Sequence, residues 1–232
     1  SEVSSKISDV FNELDLKRFS LFVKKGLTKI IFQDESDETS TKEILGEKKN
    51  DDVIIISNNE ELVQFLVIEE SITASPEAKT FIFNNRSVDP DLVADEELVR
   101  VVSLVMLLKE DESRQIPAPT NGELFCLVPL VETTFPFKFG LDADWFMDSE
   151  RKNLKLDVDS VKWHTQMISP TLPLLIKRYL LSIESDVDKT ERMKVLDIFP
   201  KFGKDPGDQF KFLEEDDFKS KLTEHLGSTA FI

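Results

Sequence analysis

The segment Asp142-Ala-Asp-Trp-Phe-Met-Asp-Ser-Glu-Arg-Lys-Asn-Leu154 ends a hydrophobic run in a burst of charge, and Arg151 is the residue in it best suited to chemistry. A guanidinium clamps a phosphate with a planar fork of donors, and functional side chains often stand where a strand gives way to a loop. The competing reading is a strand-to-helix turn in which Arg151 pairs with a neighbouring Asp or Glu, an exposed contact of little energetic weight. His164 follows Trp163 at the start of a helical pattern. A general base needs a partner at a recognisable spacing; none stands near His164, so capping or packing fits it better. Cys126 lies in an apolar run, LFCLV, which predicts a buried, inert thiol. The run Asp34-Glu35-Ser36-Asp37-Glu38 has oxygen ligands for a divalent cation but lacks the glycine and distal glutamate of a calcium loop, so it reads as a solvated charge run. Lys24-Lys25 and Lys48-Lys49 are too small to form a basic patch.

Composition narrows the classes further. The 232 residues carry 45 acidic and 29 basic side chains, a formal net charge of −16. Such a chain repels phosphate backbones, so no nucleic-acid partner is expected. One cysteine excludes a disulfide framework and any multi-cysteine zinc site. His164 and His225 are too far apart for a local metal motif. Nucleotide-binding loops need glycines where backbone meets phosphate. The seven glycines here include no G-x-G-x-x-G and no P-loop, and neither G-x-S-x-G nor H-E-x-x-H occurs. This chain alone is therefore not expected to bind ATP, to be an enzyme, or to carry a metal or cofactor of its own. No apolar run reaches the roughly eighteen residues of a membrane span, and the N-terminus has no signal-peptide shape. The expectation is an intracellular protein, cytoplasmic or nuclear, with no membrane partner.

The elements that must position Arg151 follow from periodicity. Val3, Ile7, Val10, Phe11 and Leu14 share one helical face. Asp15 offers an N-cap for a short helix through Leu16, Phe19, Phe22 and Val23, which Gly26 ends. Strands are expected at Thr28–Phe32, Val53–Ile56, Val63–Ile68, Thr80–Phe83 and Val99–Leu108, with residues 34–52 as a solvated loop or ragged hairpin. The stretch Ile116–Gly122 is turn chemistry. The dense runs Leu124–Leu130 and Phe135–Met147 are then expected to pair antiparallel across their short connection. From Val161 the period becomes helical through Ile183; Pro170 and Pro173 mean a second helix or a bend. After a charged break over Glu184–Glu191 come a helical stretch to Pro200, a loop over Gly203–Gly207, and an amphipathic segment from Phe210 to Leu226.

A sheet followed by helices predicts an α+β protein: a mixed, largely antiparallel sheet covered by helices on one face, with C-terminal helices at one end. Residues 1–158 form the N-terminal helix and sheet region, and residues 159–232 a helical region packing on that sheet in the same domain.

Several stretches in order resemble one family. Asp144-Trp-Phe-Met-Asp-Ser-Glu-Arg151-Lys-Asn-Leu154 fits a frame of aspartate, apolar residues, Ser-Arg-Glu and an apolar position, and Trp163-His164 stands where the frame has Trp-Asn. Upstream, Phe19-Ser-Leu-Phe22-Val-Lys-Lys25 with Thr28–Phe32, and Glu123-Leu-Phe-Cys-Leu-Val-Pro129-Leu130, are similar to the helix and strands before that phrase; Ile198-Phe-Pro200 is similar downstream. Over about residues 10–230 the chain resembles the transducer or middle region of GHKL-type ATPases related to sacsin and NO VEIN.

The resemblance implies a non-catalytic transducer module that couples nucleotide state to conformation in a larger ATPase. Its partner would be a nucleotide-binding domain of the same or another chain, and ATP with magnesium would belong to that domain. Arg151 would contact the γ-phosphate, Asp144 would end the strand, and Trp163 would anchor the helix to the sheet. Two departures stand out. Glu150 and Lys152 replace the serine and glutamate that flank the family's arginine, and a carboxylate beside Arg151 competes with phosphate for it. The nucleotide domain's Asp-x-Gly-x-Gly motif is missing, so either these residues come from a longer protein or the ATPase half has been lost. The alternative function is a protein–protein interaction scaffold that keeps the fold without a nucleotide role.

Overall fold

The computed structural model describes residues 15–34, 37–58, 61–86, 97–111, 114–126, 128–183, 196–200, 210–211, 213 and 216–227. The helix expected at Val3–Leu14, the Glu184–Glu191 break and the Gly203–Gly207 loop lie outside these residues. The fold is α+β, with a mixed, mostly antiparallel sheet of nine strands among the described residues. Backbone contacts divide the chain into two compact units, residues 1–67 with 105–120 and residues 68–104 with 121–232. Residue 158 falls inside the second unit.

In the first unit Asp15 caps helix α1 (Leu16–Lys24), accepting from the N–H groups of Lys17 at 3.0 Å and Arg18 at 3.3 Å. Gly26 ends the helix at φ +107°, a left-handed conformation that side chains disfavour. Strands β1 (Lys29–Asp34), β2 (Asp37–Lys48), β3 (Val53–Asn58) and β4 (Glu61–Thr73) then follow as an antiparallel meander. The solvated loop expected over 34–52 is instead mostly strand β2, and the hairpin alternative is what forms. Its raggedness is real: the β1–β2 register shifts between Phe32 and Asp34. Among the described side chains of β2 only Ile44 and Gly46 are buried, which leaves room for its charged residues on the strand. The expected turn over Ile116–Gly122 also needs correction. Residues Arg114–Ala118 form β6, antiparallel to the C-terminal half of β5 (Val99–Asp111), with Pro117 opposite Leu108. An outer strand tolerates a proline because one side of it makes no ladder bonds.

Helix α1 crosses β2 at its glycine. A Cβ built on Gly46 would lie 2.2 Å from Val23 Cγ2, and Val23 is fully buried. Gly46→Ala is therefore expected to destabilise this unit by about 1–3 kcal/mol through overpacking. Trimming the opposing side chain should recover part of the loss. Chemical denaturation of Gly46→Ala, Val23→Ala and the double variant checks this, and purely additive losses would count against a Gly46–Val23 clash.

The second unit begins with a further correction. The strand expected at Thr80–Phe83 is part of helix α2 (Pro76–Arg86). Ser75 Oγ accepts from the Ala78 N–H at 3.2 Å, and Pro76 occupies the first helical position, so local start signals outweigh the β propensity of Thr-Phe-Ile-Phe. Strands β7 (Glu123–Cys126), β8 (Val128–Pro129) and β9 (Gly140–Asp142) follow β5, in the spatial order β5-β9-β7-β8. The single strand expected at Leu124–Leu130 reverses on itself, pairing Phe125 with Pro129 and Cys126 with Val128. The antiparallel pairing expected for the next run is overturned: β9 pairs with β7 in parallel, Leu124 opposite Leu141. A parallel pair needs a crossover of about a dozen residues. Here the crossover is the phenylalanine-rich stretch before Gly140. Phe135, Phe137 and Phe139 all point inward, with ring centroids 5.3–5.5 Å apart, and Phe210 joins Phe135 at 5.5 Å.

Helix α3 (Val158–Leu181) runs unbroken through Pro170 and Pro173, so the two-helix alternative falls. It buries Trp163, Met167, Ile168, Leu172, Leu175, Ile176 and Tyr179, and its last turn is tied to β4 by Arg178, which donates to the Glu69 carbonyl at 2.6 Å. Helix α4 (Asp216–Gly227), which packs on α3, occupies most of the amphipathic segment expected from Phe210.

Candidate functional site

Where β9 ends, the chain runs through Ala143–Met147 into a tight loop and returns at Leu154, which forms an antiparallel bridge with Met147. The approach to that loop is fixed by side chains from two elements, β5 and α3. Asp144 pairs with Arg100 of β5 at 2.6 Å, and its carbonyl accepts from Trp163 Nε1 at 2.8 Å. The buried Trp145 ring meets His164 edge-on at 5.3 Å. His164 Nε2 accepts from the Phe146 N–H at 3.0 Å. Trp163 and His164 thus hold the segment against α3. His164 is a packing histidine, as its sequence context suggested. Burial pulls its pKa down to about 4 against the opposing charges of Asp157 and Asp144, so the ring is neutral and accepts a hydrogen bond. Asp157 caps α3 through the N–H and hydroxyl of Ser160 at 3.0 and 2.8 Å. Burial would raise this carboxyl, but those bonds and Lys155 bring it down to about 2.

The loop itself, residues 148–153, is organised by Asp148. Its N–H donates to the Asn153 carbonyl at 3.0 Å, its carbonyl accepts from the Arg151 N–H at 3.1 Å, and its carboxylate accepts from the Lys152 N–H at 3.0 Å. Burial acts to raise the Asp148 carboxyl, yet the hydrogen bonds from Lys152, Asn153 and Arg151 hold it below the usual carboxylate range. Arg151 closes the turn at φ +58°, the single non-glycine residue with positive φ among the described residues. An L-residue costs about 1–2 kcal/mol in that conformation relative to right-handed geometry.

The side chain of Arg151 is exposed and, among the described residues, makes no ion pair or hydrogen bond. The pairing with a nearby acid expected in the competing reading is absent among them. Glu150 binds Lys152 at 3.0 Å instead, and Asp148 is engaged by backbone N–H groups. Lys152 also reaches Glu132 at 3.7 Å.

A second chain segment grips the loop from the side. Asn153 donates through Nδ2 to Glu132 at 2.8 Å and accepts from the Thr133 hydroxyl at 3.2 Å. The Glu132 N–H donates to the Lys152 carbonyl at 3.2 Å, and the Leu154 N–H to Thr133 Oγ1 at 3.4 Å. Sequence reasoning missed Glu132, Thr133 and Asn153. They lie twenty residues apart and carry no motif; only the fold brings them together.

The remaining candidates fall elsewhere. Cys126 is half-buried rather than buried, its thiol 3.6 Å from the Trp145 carbonyl. The side chains of Asp34–Glu38 lie outside the described set. Lys24 is engaged by Asp51 and Asp52, so it contributes to no basic patch. Among the described residues no three His, Cys, Asp or Glu side chains are placed to hold a metal ion, and no helix is long and apolar enough to cross a membrane. Comparison with protein-family models, curated proteins and solved structures finds no match to this chain.

Proposed function

We propose that the chain is a transducer module of a GHKL-type ATPase, in which Arg151 is presented to the terminal phosphate held by a separate nucleotide-binding domain. One observation supports this most: an exposed guanidinium with no acidic partner among the described residues, held at a loop tip of a chain with net charge −16. An acid-rich protein offers many ways to neutralise an arginine, and the two nearest acids in sequence are engaged by Lys152 and by backbone donors. The Glu150 departure from the family phrase therefore leaves Arg151 available. A lone cation fits a phosphate oxygen; the cradle for the rest of the nucleotide, and the magnesium, would come from the partner domain. When bound, ATP supplies the phosphoryl group, and the guanidinium would stabilise charge developing on it.

The test is Arg151→Ala in the full-length protein that carries this sequence. Turnover of ATP is expected to fall by about ten- to a thousandfold, the usual range for loss of a transition-state cation, with KM and melting temperature nearly unchanged. Unchanged turnover in an otherwise active protein removes Arg151 from the site. A full-length protein without ATPase activity favours the interaction scaffold instead.

A further inference from the structure

We propose that Asn153, gripped by Thr133 and Glu132, is a positioning residue that sets where the Arg151 guanidinium stands. The inference rests on the reading of Arg151 given above. A loop of six residues with one left-handed corner has few bonds of its own, and here Asp148 supplies most of them. Those bonds shape the turn but do not fix its direction relative to the sheet. Direction comes from the segment after β8. Asn153 bonds both Glu132 and Thr133, the Lys152 carbonyl accepts from Glu132, and the Leu154 N–H reaches the Thr133 hydroxyl. Three successive residues, the last two of the loop and Leu154 after it, are thereby anchored to two successive residues of a neighbouring segment. Thr133 is buried, so its hydroxyl is a fixed reference, whereas Glu132 is exposed and also meets Lys152.

Asn153 is the residue in this set that joins both halves of the arrangement. Its side-chain amide reaches Glu132 and Thr133, and its carbonyl accepts from the Asp148 N–H that closes the turn. Losing its side chain would leave the Asp148 turn formed but tied to the neighbouring segment only through the Lys152 carbonyl and the Leu154 N–H. A reacting group displaced by about 1 Å loses on the order of a hundredfold in rate.

A double-mutant cycle on the full-length protein tests this: parent, Arg151→Ala, Asn153→Ala and the double variant, each assayed for kcat and KM with ATP. Asn153→Ala is expected to lower kcat about ten- to a hundredfold with little change in KM, and to have no further effect once Arg151 is gone. Thr133→Val, which keeps the volume but removes the hydroxyl, should give a smaller loss in the same direction and covers the case in which Asn153→Ala fails to fold. If Arg151→Ala lowers turnover while Asn153→Ala and Thr133→Val leave it unchanged, the positioning role is overturned and the reading of Arg151 stands. Losses that simply add overturn it as well, because Asn153 would then act by another route. If Arg151→Ala itself has no effect, the reading of Arg151 fails, and the positioning role falls with it.

Discussion

Gly122→Ala is expected to prevent the second unit from folding natively. A Cβ at this position would lie 1.9 Å from the Phe135 carbonyl oxygen and 2.3 Å from that of Phe137. Both are backbone atoms, so no rotamer change relieves the overlap. Nor can the two segments part easily, because Phe135, Phe137 and Phe139 are packed ring against ring on the inner side. Gly46 provides the contrast: there the obstacle is a side chain, and trimming Val23 makes room. At Gly122 nothing can be trimmed. The loss should exceed about 4 kcal/mol, the range reserved for severe core or backbone disruption. Soluble expression and thermal unfolding read this directly; a Gly122→Ala protein melting within a few degrees of the parent would refute the close approach.

Acid should weaken the fold through His164. Its folded pKa of about 4 lies below the ordinary value of 6.5, so the unfolded chain binds the proton first as pH falls. The stabilisation is therefore complete above pH 6.5 and is lost progressively down to about pH 4. A depression of this size corresponds to about 3 kcal/mol. Asp157, lowered from 3.8 to about 2, contributes above pH 3.8 and fades below it, so the two windows barely overlap. Denaturant titrations of the parent and His164→Gln across pH 4–7 separate them. The glutamine can still accept the Phe146 N–H but does not titrate. The stability gap between the two proteins should narrow by about 3 kcal/mol on acidification. A gap independent of pH would show that the imidazole is not held neutral.

Much of the architecture could be read from local signals where one signal acted alone. Asp15 and Gly26 bracket α1 because capping and chirality are properties of single residues. Strands β3, β4 and β5 were legible from β-branched runs. The misreadings arose where two rules competed. Thr80–Phe83 has the composition of a strand, but Ser75 and Pro76 had already begun a helix. The acidic composition of β2 suggests a loop, yet Ile44 and Gly46 are buried while Glu47 is exposed, so part of this strand alternates between core and solvent. The parallel pairing of β7 and β9 was illegible because a short connection normally means an antiparallel hairpin, and nothing in the residues announces the reversal through β8. At the candidate site, Arg151 stood out by type and Trp163 by periodicity. The positive φ of Arg151 and the grip on Asn153 did not: the first is set by bonds inside the Asp148 loop, and the second by residues brought together from positions near 132 and 153.

The strand order has a consequence for vectorial synthesis. Strand β9 lies between β5 and β7, yet it is the last of the three to leave the ribosome. Until residue 142 has emerged, β7 has its own hairpin partner β8 and no bridge to β5. The nascent chain therefore carries two separate pieces of sheet, each with an open side, for the time needed to make β9. Completion of this unit is a late event in translation, and a stall or truncation before Gly140 would release a chain whose β5 and β7 cannot be joined.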